Sequence, residues 1–291
     1  RVYDERVRRR AALVGAGTAI GALLLGALGY GLWQDAQKLY TNMISMDRNF
    51  YGLVRVYDTK GQPARHDMQH GRILHGFQYQ DEALRNAHTG YYGPQTAVSL
   101  ALSRHPGRAQ GPLRIGVTGL GAGMLASYIE PGSDWTFYEI NPLVTEVAER
   151  DFTYLRDARA RGGQVRVLHG DARSVMERQL AEAGSRQYDV LVMDAFNSDT
   201  VPVHLLTREA FELYWRHLKD DGILIVHISN AFIDLSPVGG LQSYWVAVTR
   251  NRAFWSNPEV SRYFSEWPEG ARDPVLWTDD YSNLYSLLTL G

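Results

Sequence analysis

The chain contains no cysteine. Disulfides, thiolate metal sites and cysteine nucleophiles are therefore excluded, and compartment is left undecided. Charge bias is also missing: a formal net charge of −2 over 291 residues gives no general electrostatic case for nucleic-acid binding. His75, His169 and His227 lack metal-ligand spacing and read as satisfied polar residues, so no metal is expected. The most informative absence is local. From Ala11 to Trp33, 23 consecutive residues carry no charged side chain.

That length suffices for a helix to cross the hydrocarbon core, whereas a signal peptide has a shorter apolar region followed by a small-residue cleavage site. Residues 11–33 are therefore expected to form one transmembrane helix, with Tyr30 and Trp33 as its interfacial aromatics. Gly17 and Gly21 form a G-x-x-x-G, continued in spacing by Ala22 and Gly26. Such a face can pack other transmembrane helices, within a larger membrane complex for example; ordinary glycine enrichment of membrane helices gives the same pattern. Arg6, Arg8, Arg9 and Arg10 crowd the N-terminal flank, against Lys38 and Arg48 on the other. The positive-inside rule then places the N-terminus in the cytoplasm and the main domain in the periplasm, across a bacterial inner membrane.

Beyond this basic flank (1–10) and helix, residues 34–48 read as a linker and 49–93 as a small antiparallel β unit. Phe50–Tyr57, Arg65–His70 and Ile73–Gln78 alternate with period two around a turn at Asp58–Gly61. Residues 94–291 follow as an α/β domain. Gln95–Arg104 reads as a helix, then strands at 113–118, 135–139, 164–168, 188–193 and 223–228 alternate with helices from Pro142, after Asp171 and over 207–218. A turn is expected at Asp220–Gly222. This rhythm implies a doubly wound, mostly parallel, Rossmann-like sheet.

The organising stretch is Leu113 to Gly123, an apolar β-branched run ending in Gly119, Gly121 and Gly123, with the helix-compatible segment Met124–Ile129 next. Strand, glycine turn and helix present backbone N–H groups and a helix N-terminus to a nucleotide, and glycine lets the ligand approach the backbone. Twenty residues after Gly119, Glu139 closes a second strand, where an acid can accept from both ribose hydroxyls.

Leu74-His-Gly-Phe-Gln78, Asp81-Glu82, Tyr91, the glycine turn, Glu139, Gly170-Asp171-Ala172, Asp194 and Trp277–Tyr281 occur in an order that resembles the spermidine synthase (aminopropyltransferase) family, within the methyltransferase-like fold. The resemblance covers about residues 49–290 and is nearest to the membrane-fused bacterial branch. It implies S-adenosylmethionine, or its decarboxylated form, as substrate. It also implies that Gln78, Gly119, Gly121, Gly123, Glu139 and Asp171 bind the nucleoside, Glu139 at the ribose and Asp171 at the adenine amino group. Asp194 would face the reacting centre, with Asp199 as a second catalytic acid and Asp279 and Asp280 extending the acidic pocket.

Three features depart from the family pattern. Ala122 stands where an acid within the glycine turn holds the donor's terminal amine. Tyr91-Tyr92-Gly93 replaces the usual Tyr-His-Glu. Only Asn230–Ser243 separates the fifth strand from Tyr244–Thr249, where the fold normally spends a helix and a strand, so either the sheet is shortened or a stretch is lacking. Two readings stay open. One is a membrane-anchored transferase moving an aminopropyl or methyl group to an amine through a degenerate polyamine site. The other is a catalytically silent accessory subunit with no cofactor, supported by the small-residue helix face and an aromatic tail (Phe254, Trp255, Tyr263, Phe264, Trp267, Trp277, Tyr281, Tyr285).

Overall fold

The computed structural model describes residues 2–71, 73–195, 202–227, 241–242, 245–264 and 277–280. Asp199, most of the 230–243 connection, Trp267, Tyr281 and Tyr285 lie outside the described residues. The chain divides into two units, Arg1–Ile44 and Ser45–Gly291.

The first unit is dominated by helix α1 (Val2–Tyr40). Its Asp4–Gln37 portion is long and apolar enough to cross a membrane, a property that a signal sequence near an N-terminus shares. Leu13, Leu23 and Leu25 are exposed, and β-carbons added at Gly17 and Gly21 would meet nothing within 4 Å. The helix outruns the expected 11–33 span, and the expected linker is instead its last turns followed by a strand.

That strand, β1 (Met43–Asn49), was missed by the sequence reading because its apolar residues are few and exposed. It opens a four-stranded sheet in the order β1–β2–β3–β4, with β2 Gly52–Thr59, β3 Arg65–His70 and β4 Ile73–Tyr79. Val54, Val56 and Met68 are its fully buried residues.

Seven strands form the second sheet: β5 Arg114–Thr118, β6 Asp134–Glu139, β7 Gln164–His169, β8 Tyr188–Met193, β9 Leu218–His227, β10 Leu241–Gln242 and β11 Trp245–Thr249. Their order is β10–β11–β9–β8–β5–β6–β7, with β7, β6, β5, β8 and β9 parallel and β11 antiparallel to β9. This is the methyltransferase-like α/β fold. Its edge strand β10 is two residues long and pairs antiparallel with β11. The Asp220–Gly222 turn is a bulge inside β9: pairing jumps from Leu218 to Ile223 while β8 advances only from Tyr188 to Val190.

Helices α2 (Ala97–Ser103), α3 (Pro142–Asp151), α4 (Tyr154–Ala160), α5 (Ala172–Ala183) and α6 (Arg208–His217) cover the sheet; α7 (Arg252–Trp255) and α8 (Pro258–Ser261) follow β11. Strand alternation sends β8 side chains to two cores: Val190 and Val192 join Val117, Phe137 and Ile225 on one face, Leu191 and Met193 join Met176 and Tyr214 on the other. Sequence order reverses between β5 and β8, and such a switch point opens a crevice at the carboxyl ends of the strands. The segment after the glycine turn is one 3₁₀ turn, Met124–Tyr128, rather than an α-helix, so no helix N-terminus is presented there.

Candidate functional site

The site is built where the ends of β4, β5, β6 and β8 converge. Gly119, Gly121 and Gly123 all have positive φ, at 89°, 54° and 85°. A β-carbon on Gly119 would collide with the Asp194 carbonyl oxygen, and one on Gly121 with that of His75. The first two glycines are thus required by the protein's own backbone crossings, rather than by a ligand's approach. Ala122 N donates to His75 O at 3.0 Å and Asp194 N to Thr118 O at 3.0 Å, which fastens these crossings.

Around them lies a cavity of about 350 Å³. Its lining includes Gly119, Gly121, Glu139, Asp171 and Asp194 of the expected site. Gln78 and Gly123 are not part of it. Gln78 is buried with its amide committed to the protein: Nε2 donates to Arg85 O (3.0 Å) and Thr153 Oγ1 (2.9 Å), and Oε1 accepts from Thr153 N (2.9 Å). Gly123 instead faces Tyr154 and Leu155.

Each acid has partners. Glu139 accepts from Leu120 N through Oε2 and from Asn141 N through Oε1, both at 2.9 Å. Burial outweighs these hydrogen bonds and pushes its carboxyl up to about 7. Asp171 caps α5 by accepting from Ser174 N (2.9 Å), while its other oxygen meets His204 Nε2 at 2.8 Å. Burial raises its proton affinity, but the Ser174 and His204 contacts together win and hold the carboxyl below its ordinary value. Asp194 Oδ2 accepts from the Tyr92 hydroxyl, and Oδ1 lies 2.8 Å from His227 Nδ1. His227 in turn stacks on Trp245 (4.5 Å between centroids) and Tyr91 (5.1 Å). Asp279 is outside the cavity, held by Arg173 (Nη1 to Oδ1, 2.7 Å) and Thr207 (2.8 Å), and Asp280 does not line it.

The sequence reading missed several members. The small sheet supplies a wall of Tyr51, His70 and His75. It is tied down by Asn49 Nδ2 to Asn141 Oδ1 (2.6 Å) and by His70 Nε2 with Tyr51 O (3.0 Å). Burial foremost, and neighbouring His70 next, lower His75 to about 4, with Asp194 opposing, so its ring is neutral at pH 7. His75 Nε2 and Asn141 Nδ2 are buried without a protein partner. These atoms, together with the unused lone pairs of Glu139, suit the hydroxyls and ring nitrogens of a nucleoside. No spacing rule could have found His227, because only the β8–β9 pairing brings it to Asp194. Among the described residues no group of three or more His, Asp or Glu is arranged to hold a metal.

No family model matches the chain. It is 35% identical over 119 residues to a polyamine aminopropyltransferase of Vibrio vulnificus, covering 40% of this chain and 38% of that protein. It is 30% identical over 115 residues to an N-terminal histidine N-methyltransferase of Emericella nidulans, covering 39% of this chain and 19% of that protein. Less than two-fifths of either curated relative is therefore spanned. The spermidine synthase of Thermotoga maritima overlays with a TM-score of 0.47 at 16% identity, over 77% of this chain and 64% of that one. The resemblance to spermidine synthases read from the motifs is borne out by the first of these relatives.

Proposed function

We propose that this domain binds an adenosine-bearing sulfonium, S-adenosylmethionine or its decarboxylated form, and serves as a membrane-anchored transferase to an acceptor nucleophile. One observation carries the reading. Glu139, Asp171 and Asp194, from the ends of three different parallel strands, border a single cavity beside Gly119 and Gly121. The first curated relative is named an aminopropyltransferase and the second a methyltransferase, and an adenosyl sulfonium serves both chemistries.

When bound, the sulfonium supplies an electrophilic carbon; the protein's part is to hold, orient and deprotonate. Glu139 would take the ribose hydroxyls on its free lone pairs, with Asn141 Nδ2 and His75 Nε2 completing the polar lining. Asp171 would take the ring amino group in exchange for His204. Asp194, fixed by Tyr92, would accept a proton from the acceptor.

The polyamine half is degenerate in this reading. Ala122 is buried, and a β-carbon on Gly76 would come within 2.8 Å of its own Cβ, so the position is packed tightly against backbone rather than open to a charged amine. The test is calorimetry of the full chain in detergent micelles with methylthioadenosine. Saturable binding that Glu139→Ala weakens by ~1.5–3 kcal/mol supports the reading. No heat and no thermal shift with millimolar nucleoside would overturn it.

A further inference from the structure

Two side-chain amides join the small sheet to the end of β6. Asn49 closes β1, and its Oδ1 accepts from Tyr51 N at 3.0 Å. That bond leaves Asn49 Nδ2 to face Asn141, whose Oδ1 accepts it at 2.6 Å. Asn141 caps α3, so the same Oδ1 also accepts from Leu143 N at 3.1 Å. A side-chain amide has one accepting end and one donating end. The backbone N–H groups of Tyr51 and Leu143 therefore fix the orientation of both amides, and Asn141 Nδ2 is turned away from both contacts.

Among the described residues that Nδ2 is buried without a protein partner, on a residue only 1% exposed that borders the cavity. The backbone N–H of Asn141 meets Glu139 Oε1 at 2.9 Å, so the donor and the carboxylate are neighbours. A hydroxyl can give its hydrogen to a carboxylate while its oxygen accepts another. A buried N–H left unmet costs desolvation free energy, and an acceptor in the cavity removes that cost.

We propose that Asn141 Nδ2 donates to a ribose hydroxyl oxygen whose own hydrogen goes to Glu139, and that Asn49 is the positioning residue that holds Asn141 in the pose to do so. The ligand in this proposal rests on the nucleoside reading above. The small sheet thereby takes part in nucleoside recognition through Asn49, a residue that does not itself border the cavity.

The test is a double-substitution cycle, read by titrating methylthioadenosine calorimetrically into the full chain in micelles. At pH 8 Glu139, pushed up to about 7, is mostly ionised. Asn141→Ser keeps a helix cap but removes the donor, and affinity should fall about tenfold. Asn49→Asp keeps the acceptor for Tyr51 N but sets an oxygen against Asn141 Oδ1. The Asn141 amide then turns over, withdraws its donor from the cavity, and affinity should fall about as far. In the Asn141→Ser background Asn49→Asp should cost nothing more, because the donor it displaces is already gone.

An effect of the added charge on Glu139, or a general loosening of the small sheet, would lower affinity in both backgrounds. Such additive losses would overturn the proposal, as would native affinity in Asn49→Asp. Should the acidic variant fail to fold, Asn49→Ala runs the same cycle without adding charge. A severalfold loss in the native background and none in Asn141→Ser supports the proposal, and equal losses overturn it. A native chain that binds no methylthioadenosine would sink the nucleoside reading and this inference with it. Native binding with additive losses would sink this inference alone.

Discussion

The carbonyl oxygen of Asp194 occupies the space that a β-carbon on Gly119 would need. The two residues end neighbouring strands, β8 and β5, at the point where strand order reverses, so the crossing that shapes the cavity floor depends on a missing side chain. Gly119→Ala would add both the strain of φ +89° and a backbone collision. Together these should cost about 2–5 kcal/mol, read as a lowered urea midpoint in micelles. A native midpoint would mean that the Asp194 carbonyl can move aside.

Glu139 makes stability and binding depend on pH in opposite ways. Its folded carboxyl is pushed from 4.5 to about 7 by burial, so between those values the folded state binds more protons than the unfolded. Stability then falls as pH rises through this window, by roughly 3 kcal/mol at most. Glu139→Gln should flatten that decline in melts run from pH 5 to 8. Ribose hydroxyls donate to the ionised form, so methylthioadenosine affinity should drop as pH falls below about 7, by up to about tenfold per unit. A pH-independent affinity would argue against Glu139 as the ribose partner.

How far the site was legible follows from what kind of signal each residue leaves. Glu139, Asp171 and Asp194 were readable because strand periodicity places each at a carboxyl end, and the fold brings such ends together. The glycines were readable as a turn, but the reason for them was not: the His75 and Asp194 carbonyls that demand Gly121 and Gly119 come from distant strands. Gln78 was misplaced because its partner, Thr153, is 75 residues away, and local sequence cannot show that its amide is already spent. The 3₁₀ turn at Met124–Tyr128 was read as helix since its composition is helix-compatible; packing against α4 and β4, not propensity, sets its geometry.

Tyr92 is buried and donates its hydroxyl to Asp194, with burial foremost and the Asp194 charge next in keeping that hydroxyl protonated. Tyr92→Phe preserves the ring but withdraws a donor from a carboxylate. A loss of ~1.5–3 kcal/mol in stability is expected, measured in the same urea melts. In an active preparation, Asp194→Asn should lower turnover at least ~100-fold while leaving methylthioadenosine affinity near native. Equal loss of binding would make Asp194 a structural rather than a chemical group.

Asp171 and His204 face each other at 2.8 Å across the cavity wall. If Asp171 exchanges His204 for the ring amino group of a nucleoside, His204 competes with the ligand. His204→Ala should then raise methylthioadenosine affinity severalfold, within the ~1 kcal/mol range of one hydrogen-bonded pair at a partly exposed site. A fall in affinity would show instead that His204 contacts the ligand directly.

Topology decides whether the cavity meets its nucleoside in the cell. Four arginines among residues 6–10 precede the apolar stretch, against Lys38 and Arg48 on the opposite flank. Under the positive-inside rule the N-terminus stays in the cytoplasm, and a single crossing by α1 would put the second unit in the periplasm. S-adenosylmethionine is made and kept in the cytoplasm, so that placement would favour an accessory role over catalysis, and a cytoplasmic second unit would favour the transferase. The absence of native cysteine makes the measurement clean. Lys60, directly after β2, is exposed, and Lys60→Cys introduces the only thiol. Labelling by a membrane-impermeant maleimide in intact spheroplasts is the expected outcome. Labelling only after lysis would reverse the orientation, return the cavity to the compartment that holds the donor, and remove the argument for silence.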